Sequence, residues 1–222
     1  MISIITPVFG KSQITSEFIQ GIAPYMKDDD ELIIVDNNSP DNTLAVLGIA
    51  KKSFPINIQI LSNSKNLGFG TANNLGASLA KNNKLLFISN DVKVVGDILS
   101  TVILALDANP RDAIGPRLID INTGWNTFNE VGVIPYLEGF CFAMRKEVFN
   151  MVGGFDENIF IDMEDLDLCF RLHLAGIGLR SVALPVMHEL GGSFSSLPSP
   201  RLDYTLQSQA YFLKKWGFTK RG

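Results

Sequence analysis

Apolar and polar positions alternate in blocks along the first ninety residues. Residues 2–8 (ISIITPV) form a β-branched run that fits a buried parallel strand. Residues 12–25 follow with a helical pattern. Residues 31–36 (ELIIVD) read as a second strand, ending at Asn37-Asn38-Ser39-Pro40-Asp41, a turn able to cap a helix over 42–52. Residues 56–61 are a third strand, 70–81 (GTANNLGASLAK) a helix rich in small residues, and 84–89 (KLLFIS) a fourth strand that breaks at Asn90-Asp91. This βα alternation predicts an α/β fold with an open, mostly parallel central sheet and helices on both faces.

The second half is less regular. The pattern predicts a helix over 97–108, a strand over 113–119, a loop over 122–135 around Trp125, and a strand over 137–144. A short helix over 146–152 ends at Gly153-Gly154. A helix over 164–175 stops at Gly176. A strand over 178–184 before Pro185, a Gly/Ser/Pro loop over 191–200 and a helix over 202–216 complete the chain. With no repeat or linker, the expectation is one domain over 1–222, divided into a nucleotide-binding half (1–91) and an acceptor and catalytic half (92–222).

Composition narrows the class. The chain has 222 residues, 46% hydrophobic and 19% charged, as an ordinary globular protein has. A net charge of -4 gives no reason to expect nucleic acid as a partner. The N-terminus lacks the basic region and cleavage site of a signal peptide, and no apolar run approaches the roughly 20 residues that span a bilayer. Cys141 and Cys169 are far apart in apolar settings, which suits buried thiols in a reducing compartment and forms no metal-ligand spacing. A cytoplasmic location is expected by default.

The chemistry concentrates in one block. Asp156, Glu157, Asp162, Glu164, Asp165 and Asp167 stand among Phe155, Ile159, Phe160, Ile161, Met163, Leu166, Leu168 and Phe170, neighbours that favour burial. Carboxylates in such company are costly unless paired, metal-bound or used. Glu164-Asp165 opens a predicted helix. Either the helix dipole is being complemented, or one of the pair is a general base and the other orients it or contacts an acceptor. Adjacent helix residues point about 100° apart, so the two do not share one role.

Polar clusters also fall at the predicted carboxyl ends of strands, where open α/β sheets bind ligands. They are Thr6-Pro7, Asp36-Asn37-Asn38, Ser62-Asn63-Ser64 and Ser89-Asn90-Asp91. They read either as turn residues or as parts of one crevice. Asn66-Leu67-Gly68-Phe69-Gly70 before a helix could offer backbone N–H groups to a phosphate, or could be a plain helix entry. It is neither a GxGxxG nor a P-loop, so a Rossmann dehydrogenase or NTPase is not supported. Asp91 suits a hard divalent cation or a cap. His188, beyond a predicted strand, suits a metal ligand or a structural histidine. His173, within a helix, is expected to be structural.

Taken in order, the segments ISIITPVF, ELIIVDNNSPDNT, NLGFGTANNLG, LLFISNDV, LEGFCFAMRKEVFNMVGGFDE, MEDLDLCFRLHLAG and the His188 loop resemble glycosyltransferase family 2, the inverting nucleotide-sugar enzymes of GT-A fold. The closing QSQAYFLKKWG looks like the rhamnosyltransferase-like bacterial branch. The resemblance implies that Thr6, Pro7 and Asp36 hold the base and ribose of a UDP- or dTDP-sugar. It implies that Asn66, Gly68 and Asn74 line the nucleotide and phosphate side, with Asn90 also among the nucleotide-sugar contacts. Asp91 and His188 would hold Mn2+ or Mg2+ against the diphosphate, and Gly139 would lie beside the donor sugar. Asp165 would be the base, with Glu164 as its neighbour and second candidate.

The family's DXD signature reads Ser89-Asn90-Asp91 here, with its last carboxylate kept and its first missing. With no added acceptor domain, recognition of a saccharide or lipid-linked saccharide falls to residues 122–137 and the C-terminal segment. The tail over 214–221 is basic and aromatic. It reads either as a peripheral contact at the inner face of the membrane or as a solvated terminus. The expected function is an inverting, metal-dependent glycosyltransferase in surface polysaccharide synthesis. The rivals are a GT-A protein that binds nucleotide-sugar without transfer, and a nucleotidyltransferase, for whose triphosphate loop Thr6–Lys11 would be a poor version.

Overall fold

The computed structural model describes residues 1–121, 125–126, 134–188, 200–217 and 219–220. Four parallel strands form one side of a seven-stranded sheet: β1 (Ser3–Val8), β2 (Glu31–Asp36), β3 (Ile58–Ser62) and β4 (Lys84–Ile88). A second small pair begins with β5 (Val92–Val94). The main sheet continues through β6 (Ala113–Gly115), and a third pair joins β7 (Leu118–Ile121) to β9 (Ile134–Leu137). β8 (Trp125–Asn126) lies between them in sequence. β10 (Cys141–Arg145) enters the main sheet antiparallel to both β4 and β6, and β11 (Leu179–Ser181) closes its edge beside β6. The order across the sheet is β11-β6-β10-β4-β1-β2-β3. Strands from both halves of the chain therefore share one sheet.

Period-two alternation decides which face each side chain takes. Ile2, Ile4, Leu32, Ile34, Leu86, Ile88, Cys141 and Ala143 join one core cluster. That cluster is covered by α1 (Ser12–Ile22), α2 (Thr43–Ser53) and α4 (Ile98–Ala108). Ile5, Ile33, Val35, Leu85, Phe87, Phe142 and Met144 face the other way, under α3 (Phe69–Leu79), α5 (Lys146–Met151) and α6 (Glu164–Leu174). On that second face Phe87 packs on Phe142 and Phe149 with ring centroids 4.9 Å apart, and Phe155 meets it edge-on at 5.8 Å. Both cysteines are buried and free.

Three expectations need correction. The strand predicted over 113–119 is split at Pro116, which has no N–H to give a ladder; its halves are β6 and β7. The strand predicted over 137–144 is broken by the turn at 138–140, so its ends belong to β9 and β10. The predicted loop over 122–135 contains β8 and the start of β9; residues 122–124 and 127–133 lie outside the described residues, as does 191–199 of the predicted Gly/Ser/Pro loop. The pairing of β5 with β12 (Val186–His188) is too short to leave a hydrophobic period.

The tail also departs from expectation. α7 (Pro200–Trp216) is followed by β13 (Thr219–Lys220), which pairs with β8. Lys215 and Trp216 do not project from the tail. Lys215 Nζ donates to Asp156 Oδ2 and Asp167 Oδ1, each at 2.7 Å, and Trp216 Nε1 donates to Asp167 Oδ1 at 2.9 Å. Arg171 completes the cage around Asp167, which is fully buried. Burial works against the charge on Asp156, but the Lys215 ammonium and the Asn158 amides hold its carboxyl down to about 2. Among the described residues no helix is long and apolar enough to cross a membrane.

Lys215→Ala leaves two carboxylates short of a charged partner, and lost hydrogen bonds to charged groups cost about 1.5–3 kcal/mol. Urea unfolding at pH 7 should show a loss of that size. The difference from wild type should shrink as pH falls toward 2, because a depressed carboxylate gives its stability above its ordinary value and loses it on protonation.

Candidate active site

The parallel strands deliver their carboxyl ends to one edge of the sheet, and a two-lobed cleft opens there. The first lobe is lined by Pro7, Val8 and Phe9 after β1, Asn37 after β2, Asn66, Gly68 and Phe69 at the entry to α3, and Ser89 and Asn90 after β4. Phe160 and Ile161 close it from the segment before α6. The second lobe shares Phe69 and Ser89 with the first. It adds Asp91, His188, Tyr136, Glu138, Gly139, Phe140, Asp162, Glu164 and Asp165.

A lattice of asparagines shapes the first lobe. Asn66 Oδ1 accepts from Gly68 N at 2.9 Å, and Asn37 Nδ2 donates to Gly68 O at 3.1 Å. Asn63 Nδ2 in turn donates to Asn37 Oδ1 at 2.8 Å. Gly68 sits at φ +86°, and a Cβ there would lie 2.4 Å from Phe160 O, so this turn admits glycine alone.

Three of the expected contacts are not in the cleft lining. Thr6 is fully buried inside β1. Asp36 is fully buried as well, and its carboxylate accepts from the amide and hydroxyl of Ser39. Asn74 has its amide engaged by the backbone of Phe155, at 2.9 and 3.0 Å, and by Glu157. Asp36 and Asn74 hold loops beside the cleft, whereas the buried Thr6 hydroxyl has no hydrogen-bond partner among the described residues. Pro7, Asn66, Gly68, Asn90 and Gly139 do line it.

The β5–β12 pair sets His188 opposite Val92, and so brings His188 to Asp91. Nε2 of His188 lies 3.6 Å from Oδ1 of Asp91, and the imidazole stacks on Phe140 at 4.3 Å. Ligand bonds to Mn2+ or Mg2+ run about 2.0–2.2 Å, so one cation can touch both groups at that separation. No cluster of three or more His, Cys, Asp or Glu side chains suited to a metal occurs among the described residues. The donor set therefore fits a cation that takes its remaining oxygens from a diphosphate and water.

Asp165 lies across the same lobe. Its Oδ2 accepts from Gly139 N at 2.9 Å and its Oδ1 from Leu166 N at 2.8 Å. A Cβ on Gly139 would come within 3.2 Å of this carboxylate, so the glycine permits the close approach. Burial pushes Asp165 up to about 6, against the pull of those two amides. Glu164 is 8% exposed, and its Oε2 has no hydrogen-bond partner among the described residues. Burial, then the neighbouring Asp165 charge, holds Glu164 well above the usual carboxylate range. Burial raises both carboxyls, and being adjacent the two titrate as a pair. The other acidic residues divide too: Asp156 and Asp167 anchor α7, and Asp162, at φ +57°, is tied to Thr205 and Arg201.

This sheet order, with a strand-end nucleotide lobe beside a carboxylate lobe, defines the GT-A class of nucleotide-sugar transferases. The chain belongs to glycosyl transferase family 2, whose profile matches residues 3–155. It is similar to the N-acetylglucosaminyl-diphospho-decaprenol L-rhamnosyltransferase of Mycobacterium tuberculosis, at 26% identity over 82% of this chain and 74% of that protein. It is also similar to the dTDP-rhamnosyl transferase RfbF of Shigella flexneri, at 24% identity over 72% of this chain and 60% of that one. Among solved structures, the mannosyltransferase PcManGT from Pyrobaculum calidifontis, in complex with GDP-Man and Mn2+, superposes with a TM-score of 0.73 at 16% identity. That match covers 96% of this chain and 64% of the other.

The raised Glu164 carboxyl has a measurable consequence. Such a group favours the folded state below its ordinary value of 4.5 and forfeits that contribution as pH rises through its folded value. Glu164→Gln removes the titration. In thermal unfolding from pH 4 to 8, the wild type should lose stability relative to this variant as pH rises.

Proposed function

We propose that the protein is an inverting, metal-dependent glycosyltransferase that moves a sugar from a UDP- or dTDP-sugar to a saccharide or glycolipid acceptor in surface polysaccharide synthesis. The observation that carries this reading is the part-buried Asp165, held by the Gly139 amide in the lobe that also contains Asp91 and His188. The rhamnosyltransferase relatives make dTDP-rhamnose the first donor to test.

The first lobe takes the nucleotide. Pro7–Phe9 and Phe69 offer apolar surface to the base, while Asn37 and Asn66 fix the turn at Gly68. Asp91 and His188 would hold Mn2+ or Mg2+, which supplies positive charge to the departing diphosphate. The donor sugar then lies beside Gly139. An acceptor hydroxyl attacks the anomeric carbon from the face opposite the diphosphate. Asp165 takes its proton as the new C–O bond forms and the bond to the diphosphate breaks. One displacement inverts the anomeric configuration.

Asp165→Asn keeps the shape and removes the base. Transfer should fall by about 10²–10⁴-fold with donor affinity near wild type; transfer that survives places the base elsewhere. In the wild type kcat/KM should decline as pH drops below about 6, where the carboxylate is protonated, and this limb belongs to the Glu164–Asp165 pair jointly.

His188→Ala tests the metal side by calorimetry with UDP and dTDP, with and without Mn2+. The gain in nucleotide affinity that Mn2+ confers should drop at least about tenfold, as removal of a metal contact generally costs. An unchanged gain returns His188 to a structural role.

A further inference from the structure

Three polar groups of the second lobe have hydrogen-bonding capacity to spare. The hydroxyl of Tyr136 has no hydrogen-bond partner among the described residues, although Tyr136 lines the lobe. Glu138 has one side-chain partner there, Arg117, whose Nη1 lies 3.1 Å from Oε2. The third is the buried, unpartnered Oε2 of Glu164. A buried polar atom without a partner costs about 1–3 kcal/mol, and a ligand hydroxyl would relieve it.

Their order along the chain matters. Phe140 stacks on His188 at the diphosphate end, and Gly139 bonds to Asp165. Glu138 and Tyr136 continue from there onto β9. Tyr136 in β9 and Glu138 in the turn that follows it both line the lobe, while Leu137 between them is 1% exposed against Cys169. Their backbone positions are about 7 Å apart, a span that suits one pyranose ring. In-line attack needs the acceptor on the side of Asp165 away from the diphosphate. Tyr136, Glu138 and Asp165 line one lobe, so a sugar held by the first two lies within it beside the carboxylate.

We propose that Tyr136 and Glu138, together with Glu164, form the subsite for the acceptor saccharide, binding a pyranose whose reacting hydroxyl is presented to Asp165. The Tyr136 ring offers an apolar face to sugar C–H groups and its hydroxyl a donor. Burial, then the charges of Asp165 and Glu138, pushes this phenol up to about 12, so it keeps its proton at neutral pH. Arg117 fixes the Glu138 carboxylate as an acceptor for a sugar hydroxyl. Glu164, protonated, can donate to a second hydroxyl. This subsite rests on the transferase reading above.

The test separates the two. Methyl glycosides of glucose, galactose, N-acetylglucosamine and rhamnose are titrated by saturation-transfer NMR against protein holding UDP or dTDP and Mg2+. At least one should bind the wild type. Tyr136→Phe and Glu138→Gln should each weaken that binding at least about fivefold, as loss of one hydrogen bond does. Nucleotide affinity should stay within about twofold, which also reports an intact fold. Nucleotide binding without any glycoside binding overturns the subsite alone, as does a glycoside that binds both variants as well as wild type. Failure to bind either nucleotide overturns the donor reading and the subsite with it.

Discussion

Two adjacent carboxylates must be kept at the start of α6 inside a partly apolar cleft, and much of the surrounding structure answers to that constraint. Like charges so close resist ionising together, and burial adds to the cost. The site relieves only one of them. Asp165 receives amide hydrogen bonds from Gly139 and Leu166, whereas Glu164 receives no side-chain partner among the described residues. The helix N-terminus favours both charges. The backbone contributes as well: Asp162 and Met163 have φ of +57° and +81°, conformations that cost non-glycine residues about 1–3 kcal/mol each. Such strain persists only where neighbours hold it. Thr205 and Arg201 of α7 hold Asp162, Ser208 accepts from Ile161, and Tyr204 packs on Phe160 at 4.4 Å.

α7 is therefore part of the site's support although none of its residues lines the two lobes. Its far end is fixed by Lys215 and Trp216 on the fully buried Asp167, one turn into α6. Its middle is fixed by Tyr211 on Asp156 and by Phe212 against Leu166 and Phe170. A helix bound at both ends of the 156–167 segment restricts how far Asp165 can move relative to Gly139. The acidic block thus contains two kinds of carboxylate. Those paired with Lys215 and Arg171 supply rigidity, while Glu164 and Asp165 face the cleft.

The sheet and its covering helices were legible because long apolar runs such as ELIIVD and KLLFIS alternate between two cores, and that pattern survives any local detail. Glu164-Asp165 was legible because charge among large apolar residues demands a reason. The pairing of β5 with β12 was not, since three residues carry no period; yet it is what brings His188 to Asp91. Asp36 and Asn74 stand outside the cleft lining for a related reason. Their positions after a strand and on a glycine-rich helix suggest ligand contact, but Ser39 and Phe155, nearby only in the fold, take their hydrogen bonds. Tyr136 and Glu138 gave no signal, because their common face appears only once β9 is separated from β10.

The missing first carboxylate of the DXD signature gains meaning from this arrangement. Ser89 stands where the two lobes meet, with its amide bonded to Phe140 O at 2.8 Å. Asn90 donates its amide to Thr15 on α1 at 2.8 Å. A carboxylate at position 89 would add negative charge to a lobe that already contains Asp91, Asp162, Glu164 and Asp165. It would oppose an incoming diphosphate and push the Asp165 carboxyl further from ionising. Serine removes that repulsion at the expense of a ligand. In the proposed reading the diphosphate then supplies more of the cation's oxygens, so cation and nucleotide bind as a unit and Asp165 stays available as a base near neutral pH.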